Sequence, residues 1–119
     1  MHMASRLGGE LERYLDLSSA EMKLTASNMA NIDTPGYRAV GFDFSAEMRK
    51  AMQLADPTLA VAPETQELPG LLERPDGNDV SMDREGLRMA EDQLQFKTGM
   101  ELLKREFSQM RAALNDGSK

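Results

Sequence analysis

Few side chains in this sequence are of the types that catalyse reactions. The single histidine, His2, lies at the N-terminus and there is no cysteine, so neither a Ser-His-Asp nor a Cys-His arrangement can be assembled. Glu10 with Glu12, and Glu91 with Asp92, are carboxyl pairs of the kind that act as general acid and base. Both pairs fall on polar faces of predicted helices, where charged side chains are usually solvated. The sequence therefore predicts that the protein is not an enzyme and has no catalytic residues.

Motifs that bind metals or phosphates are equally scarce. Residues 76–79, Asp-Gly-Asn-Asp, resemble the start of a calcium loop. They lack the glycine and distal glutamate positions of an EF-hand, so a turn leading into a helix is the better prediction. The sequence has no Gly-rich phosphate loop, and without cysteine it offers no thiolate zinc ligands. We expect no metal and no cofactor.

The net charge of −6 is concentrated in the middle of the chain. Residues 1–50 contain six basic and seven acidic side chains, residues 51–79 one and six, and residues 80–119 seven and seven. The basic residues are interleaved with acidic ones, whereas a nucleic-acid-binding protein presents a basic face to the phosphates. Nucleic acid is therefore not an expected partner, and the two near-neutral ends can pack together without strong repulsion.

The chain of 119 residues has room for one small domain, and its 40% apolar residues include four Phe, two Tyr and no Trp. No stretch approaches the roughly 20 apolar residues of a membrane span, and residues 1–17 lack the apolar core of a secretory signal. We expect neither direct membrane insertion nor export by the general secretory route. Met1-His2-Met3 has the form of a cloning remnant.

Apolar and small residues recur every three or four positions near the N-terminus, as on one face of an amphipathic helix. They are Leu7, Leu11, Tyr14, Ser18, Met22, Thr25, Met29 and Ile32. Ser5 is a suitable N-cap, and we predict a helix from Ser5 to about Asn31.

A tight turn is predicted at Thr34-Pro35-Gly36-Tyr37. Proline fixes its own φ and disfavours helical geometry at Thr34, and Gly36 can adopt the positive φ that the third position of a type II turn requires. The turn forces the chain to change direction after the first helix.

Beyond the turn, Val40, Phe42 and Phe44 alternate with polar or small residues, which predicts a short extended segment. A short helix should follow, with Ser45 as its cap and an end at Asp56-Pro57.

The domain prediction is one small unit in three parts. Residues 1–55 supply the first helix, the turn and the short segments, and residues 80–119 supply a C-terminal helix. Between them, residues 56–79 are acidic and contain Pro57, Pro63, Pro69 and Pro75. That composition predicts a flexible, irregular linker.

The C-terminal helix begins where Ser81 can act as a cap and Asp83 and Glu85 favour the helix dipole, and it ends at residues 115–117. Its apolar positions shift register near residue 97; they are Leu87, Ala90, Leu94, Phe96, Met100, Leu103, Phe107, Met110 and Leu114. Gly99 is a weak point in it, costing about 1 kcal/mol relative to alanine. The fold class is thus mainly α, with long terminal amphipathic helices that pair as a coiled-coil-like hairpin.

Two amphipathic helices alone make a marginal monomer, because ordering the chain costs nearly as much free energy as one helix pair gains. The ten methionines suit an interface that adapts to nonidentical neighbours. We therefore expect that folding of the ends is coupled to assembly and that the isolated subunit is partly disordered.

The string Ala26-x-Asn28-x-Ala30-Asn31-x-x-Thr34-Pro35-Gly36-Tyr37 closely resembles the N-terminal signature of the bacterial flagellar axial proteins, which form the rod, the hook and the hook-associated structures. Residues 42–44 and the runs 87–96 and 102–111 resemble one branch, the FlgB-type proximal rod proteins. The chain lacks the large inserted outer domain of longer members and the Tyr-Glu-Ala-Asn ending of other rod proteins, which fits that branch.

This resemblance implies a structural subunit that the flagellar type III apparatus exports from the cytoplasm and that stacks helically into a hollow, torque-transmitting drive shaft. It implies as partners other copies of the chain, neighbouring rod proteins, junction proteins of the inner-membrane ring and export gate, and the export apparatus itself. The motif positions that would fix the turn are Asn28, Asn31, Thr34, Pro35, Gly36 and Tyr37. The seam between helices would contain Leu11, Met22, Met29, Leu94, Leu103, Phe107 and Met110.

A cytoplasmic binding module, such as a type III secretion chaperone or adaptor, is the main alternative, because such proteins are also small, acidic and helical. The Thr34-Pro35-Gly36-Tyr37 turn favours the rod subunit. A chaperone should form a stable dimer in the cytosol, whereas a rod subunit should be exported and polymerise.

Overall fold

Two long antiparallel helices form the body of the protein, which measures 70 × 25 × 19 Å. The computed structural model describes residues 5–117. In chain order its elements are α1 (Arg6–Ala30), β1 (Val40–Gly41), α2 (Phe44–Met52), a 3₁₀ turn (Pro57–Leu59), β2 (Gln66–Glu67) and α3 (Met82–Gly117). The predicted mainly α fold with a pair of long terminal helices is confirmed. His2 and the proposed remnant at residues 1–3 lie outside the described residues.

Ser5 is the N-cap of α1, as predicted, and it also bonds to α3. The Ser5 hydroxyl accepts a hydrogen bond from the Gly8 amide at 2.9 Å, and it donates to Glu106 Oε1 of α3 at 2.6 Å. One side chain therefore satisfies an orphan amide of α1 and fixes where α3 passes it.

The short elements after α1 differ in detail from the prediction. The strand is only two residues long. β1 pairs with β2 in the antiparallel direction, with Val40 opposite Glu67 and Gly41 opposite Gln66. The cap of α2 is Asp43 rather than Ser45: the Asp43 carboxylate accepts from the Ala46 amide at 3.0 Å. A carboxylate near a helix N-terminus also interacts favourably with the helix dipole, which gives Asp43 an advantage over the hydroxyl.

Residues 56–79 contain the 3₁₀ turn and β2, and they lie against the helices at several points. The Arg13 guanidinium of α1 donates to the Val61 carbonyl at 2.7 Å and lies 4.0 Å from the Glu47 carboxylate of α2. Both charged side chains are about 95% buried. Arg13 therefore joins α1 to α2 through the ion pair and to residues 56–79 through the hydrogen bond.

The apolar core is small and lies beside α1 near its middle. Its buried hydrophobic residues are Leu15, Leu17, Ala39, Phe42, Ala51 and Val80. Phe44 stacks on Phe42 of this core, with ring centroids 6.3 Å apart, and makes an edge-to-face contact with Tyr14 at 5.3 Å. A core of this size matches the expectation that a single chain has few large side chains to bury.

The face of α3 that packs on α1 includes only part of the predicted apolar stripe, of which Phe96, Leu103 and Met110 are half-buried. The buried positions of α3 are Glu85, Asp92 and Gly99, each seven residues from the next, which is the repeat of a coiled-coil seam. Leu87 and Leu94 are instead 63% and 65% exposed. Polar and small residues therefore fill much of the contact between the two long helices.

Gly99 allows a close approach of the two helices, and the prediction of a weak point there was incomplete. A Cβ at residue 99 would lie 2.9 Å from Leu15 Cδ2 and 3.0 Å from Tyr14 Cδ1. A methyl group there would force the Leu15 or Tyr14 side chain to move, so the packing outweighs the poor helix propensity of glycine.

Candidate functional site at the end of the first helix

The predicted turn after α1 is present and has the geometry of type II. Gly36 has a φ of 76°, and the Tyr37 amide donates to the Thr34 carbonyl at 3.2 Å. The Gly36 amide donates to the Asp76 carbonyl at 2.8 Å. The turn is therefore bonded both within itself and to a distant loop.

Asn28 is the centre of the site, and all four hydrogen-bonding positions of its amide are used. Its Nδ2 donates to the Val40 carbonyl at 3.0 Å and to Glu85 Oε1 at 2.8 Å. Its Oδ1 accepts from the Tyr37 hydroxyl at 3.1 Å and from the Val40 amide at 3.0 Å. With 1% exposure, this side chain fixes α1, the chain after the turn and α3 at one point.

Asn31 caps the same helix end from a more exposed position. Its Nδ2 donates to the Ser27 carbonyl at 2.8 Å, and its Oδ1 accepts from the Thr34 hydroxyl at 3.0 Å. The Thr34 amide donates back to the Asn31 carbonyl at 3.0 Å. The two asparagines and the threonine of the motif thus have separate structural tasks. Pro35 makes no hydrogen bond through nitrogen and fixes the backbone angle.

The sequence prediction missed a residue that completes this site, Asn78. Its Nδ2 lies 2.9, 3.1 and 2.8 Å from the carbonyl oxygens of Asn31, Ile32 and Thr34, which follow the end of α1 and have no partner within the helix. Arg74 also donates to the Ile32 carbonyl. The one available signal was the turn-forming sequence of residues 76–79, which says nothing about what Asn78 contacts.

Asp79 supports the chain just after the turn. Its Oδ1 accepts from the Ala39 amide at 2.6 Å, and its Oδ2 lies 3.4 Å from Arg38 Nε. Asp79 is 3% exposed, so this pair holds the exit from the turn against the loop that precedes α3.

A second polar cluster lies between α1 and α3, one to two helical turns from Asn28. The Thr25 hydroxyl donates to Asp92 Oδ2 at 3.1 Å, and Arg88 Nη2 lies 4.0 Å from Glu21 Oε1. Burial, a hydrogen bond with Asp92 and the negative charge of Asp92 raise the pKa of Glu21 to about 8, and Arg88 opposes the shift.

The seven predicted seam residues are not all brought together within one chain. Leu94 is 65% exposed and Phe107 43% exposed, so neither is buried by α1. The half-buried members are Leu11, Met22, Met29, Leu103 and Met110. Leu11 lines an open cleft of about 210 Å³ between α1 and α3, together with Leu7, Leu102, Arg105, Glu106 and Gln109.

The chemistry of the site is structural. Between residues 5 and 117, no group of three or more acidic or histidine side chains is placed to hold a metal ion. Over the same residues, no helix has both the length and the apolarity needed to cross a bilayer. The arrangement sets the direction in which the chain leaves α1.

Comparison with known proteins assigns the chain to a family. Residues 15–38, which contain most of the site, match the family model of the flagella basal body rod protein. The flagellar basal body rod protein FlgB of Escherichia coli (strain K12) is 33% identical, over 90% of this chain and 91% of that protein. The FlgB proteins of Yersinia enterocolitica and Salmonella typhimurium (strain LT2) are each 30% identical, over 97% and 98% of this chain and the whole of theirs. The chain therefore belongs to the FlgB family of flagellar basal body rod proteins.

Proposed function

We propose that this chain is a subunit of the proximal rod of the flagellar basal body. It is exported from the cytoplasm by the flagellar type III apparatus and stacks helically into the hollow shaft that transmits torque. The observation that carries the proposal is the 30–33% identity to FlgB rod proteins over at least 90% of the chain. In this role the protein is a building element of the rod and not an enzyme.

The exposed apolar side chains of α3 support assembly through that helix. Leu87 and Leu94 are seven residues apart and more than 60% exposed, and Phe107 lies further along at 43%. Complete burial of such a side chain contributes about 1.5–3 kcal/mol. A neighbouring subunit that covers this face would supply the apolar burial that the small core of one chain lacks.

The turn site supports the same role by giving the hairpin a rigid end. Asn28 and Asn78 fix the chain as it leaves α1, so the segment between the long helices keeps one orientation relative to their axis. In a helical stack each subunit contacts the next through different surfaces, and a fixed orientation makes every contact repeat. The partners are then other copies of the chain, neighbouring rod proteins, and junction proteins of the inner-membrane ring and export gate.

Mass spectrometry of purified hook–basal bodies tests the proposal. Hook–basal bodies from the bacterium that encodes the chain, washed with detergent and salt, should retain its peptides. Recovery of the protein only in the cytosol would contradict a rod subunit and support the chaperone or adaptor alternative.

A pair of matched variants tests the surface. Leu94→Glu places a charge on the exposed apolar face and should reduce retention in hook–basal bodies at least tenfold, because burial of an unpaired carboxylate is unfavourable. Gln93→Glu adds the same charge at an adjacent exposed position and should be retained normally. Equal retention of both variants would show that this face of α3 is not covered in the rod.

A further inference from the structure

The contact between α1 and α3 contains more buried carboxyl groups than positively charged side chains. Glu21 on α1 and Glu85 and Asp92 on α3 contribute three carboxyl groups, with Arg88 as the adjacent cation. Glu85 and Asp92 are at most 1% exposed, and Glu21 has a side-chain exposure of 13%. Unpaired carboxylates are costly to bury at this depth.

One buried carboxyl oxygen in this cluster has no hydrogen-bond donor. Thr25 donates to Asp92 Oδ2, but Asp92 Oδ1 is buried without a donor of its own. Ionised carboxylates only accept hydrogen bonds, whereas a protonated carboxyl group can donate one. Glu21 interacts electrostatically with Asp92 across this contact, and a hydrogen bond between two carboxyl groups requires that one of them carry a proton.

We propose that Glu21 and Asp92 share one proton that holds α1 against α3, so that the helix hairpin loosens as the pH rises above neutral. The shared proton removes one negative charge from the contact and supplies the donor that Asp92 Oδ1 lacks. Loss of that proton places two carboxylates against each other in a site that excludes most of the water.

The other charged groups around the pair do not replace the proton. Arg88 Nη2 is 4.0 Å from Glu21 Oε1, outside hydrogen-bond distance, and Glu91 on α3 adds negative charge. On α2, Glu47 interacts with Arg13 and Lys50 instead. β1 comes close to the cluster at Gly41, which has no charge. On α1, burial and the nearby Glu21 raise the pKa of Tyr14, so its phenol stays neutral.

The direction of the pH effect follows from the protons bound in each state. The ordinary pKa of 4.5 for Glu21 applies in the unfolded chain, and the pKa is raised to about 8 in the hairpin. Between these values the folded state binds more protons than the unfolded state, so stability falls as pH rises. The stabilisation is complete below the unfolded pKa and is lost by the time the pH passes the folded one.

The test compares pH profiles of the full chain and three variants. Helix content and resistance to urea are measured by circular dichroism from about pH 6 to about pH 9 at fixed ionic strength. We expect the unfolding equilibrium constant of the wild type to rise about tenfold or more across this range. Glu21→Gln and Asp92→Asn keep the shape of each group and supply a permanent donor, so either should flatten the profile. Glu101→Gln removes the same charge at an exposed site on α3 and should leave the wild-type slope.

Direct titration of the carboxyl group distinguishes the shared proton from a general charge effect. Carbon-detected NMR of labelled glutamate side chains should show one carboxyl that titrates near neutral pH and disappears in Glu21→Gln. A flat wild-type profile, equal slopes in Glu21→Gln and Glu101→Gln, or a Glu21 carboxyl that titrates at its ordinary value would each overturn the proposal. Because these are properties of the chain itself, their failure leaves the rod assignment unaffected.

Discussion

Replacement of Asn28 by alanine is the most informative single perturbation of the site. The substitution removes four hydrogen bonds, of 3.0, 2.8, 3.1 and 3.0 Å. Glu85 loses the most, because it is fully buried and its Oε2 already lacks a partner. A buried acceptor left without its donor costs about 1–3 kcal/mol.

The remaining losses are smaller. Val40 is only half-buried, so its amide and carbonyl together add about 1–2 kcal/mol. We therefore expect Asn28→Ala to lower the free energy of unfolding by about 2–5 kcal/mol, a large fraction of the roughly 5–15 kcal/mol of a small domain. Urea unfolding followed by far-ultraviolet circular dichroism measures it.

Two controls separate this reasoning from a general effect of mutation. Asn31→Ala removes hydrogen bonds at a more exposed position and should cost about 1 kcal/mol or less. In the double variant Asn28→Ala with Glu85→Ala, the orphaned carboxylate is gone, so the combined cost should be about 1–3 kcal/mol less than the sum of the single costs. Additive single effects, or an Asn28→Ala variant as stable as Asn31→Ala, would refute the central role of Asn28.

Three glycines give further predictions, measured by the same urea unfolding. Gly99→Ala should destabilise the chain by about 1–3 kcal/mol through overpacking against α1. Gly86→Ala, with open space around its Cβ, should instead stabilise α3 by about 0.5–1 kcal/mol. A change in stability of the same sign for both variants would contradict the close approach at Gly99. Gly36→Ala places a side chain at a φ of 76° and should cost about 1–2 kcal/mol; a neutral effect would show that the turn can change type.

The sequence predicted the elements with strong local signals. The apolar positions from Leu7 to Ile32 and the cap at Ser5 predicted both ends of α1 to within one residue. The Pro35-Gly36 pair predicted the position of the turn. Both predictions succeeded because helix caps and turn backbones depend on neighbouring residues. The cap of α2 was misplaced by two residues, since Asp43 and Ser45 are both good N-caps and the choice depends on where the backbone leaves β1.

Contacts between distant residues could not be predicted in this way. Asn78 lies 44 residues beyond Thr34, and no periodicity links them. The packing face of α3 was only partly predicted for a related reason: Glu85 and Asp92 are of charged types, which usually lie in water. Their burial depends on Thr25 and Asn28 across the contact.

The dependence of the turn on Asn78 has a consequence for the order in which the chain folds. The motif from Asn28 to Tyr37 looks local, yet the carbonyls that end α1 receive donors from Asn78, 44 residues after Thr34. Closing a loop of that length carries an entropic cost and slows the step relative to helix formation. A chain that emerges from the ribosome N-terminus first therefore has only the local donors of Thr34 and Tyr37 at the end of α1 until residue 78 has been made.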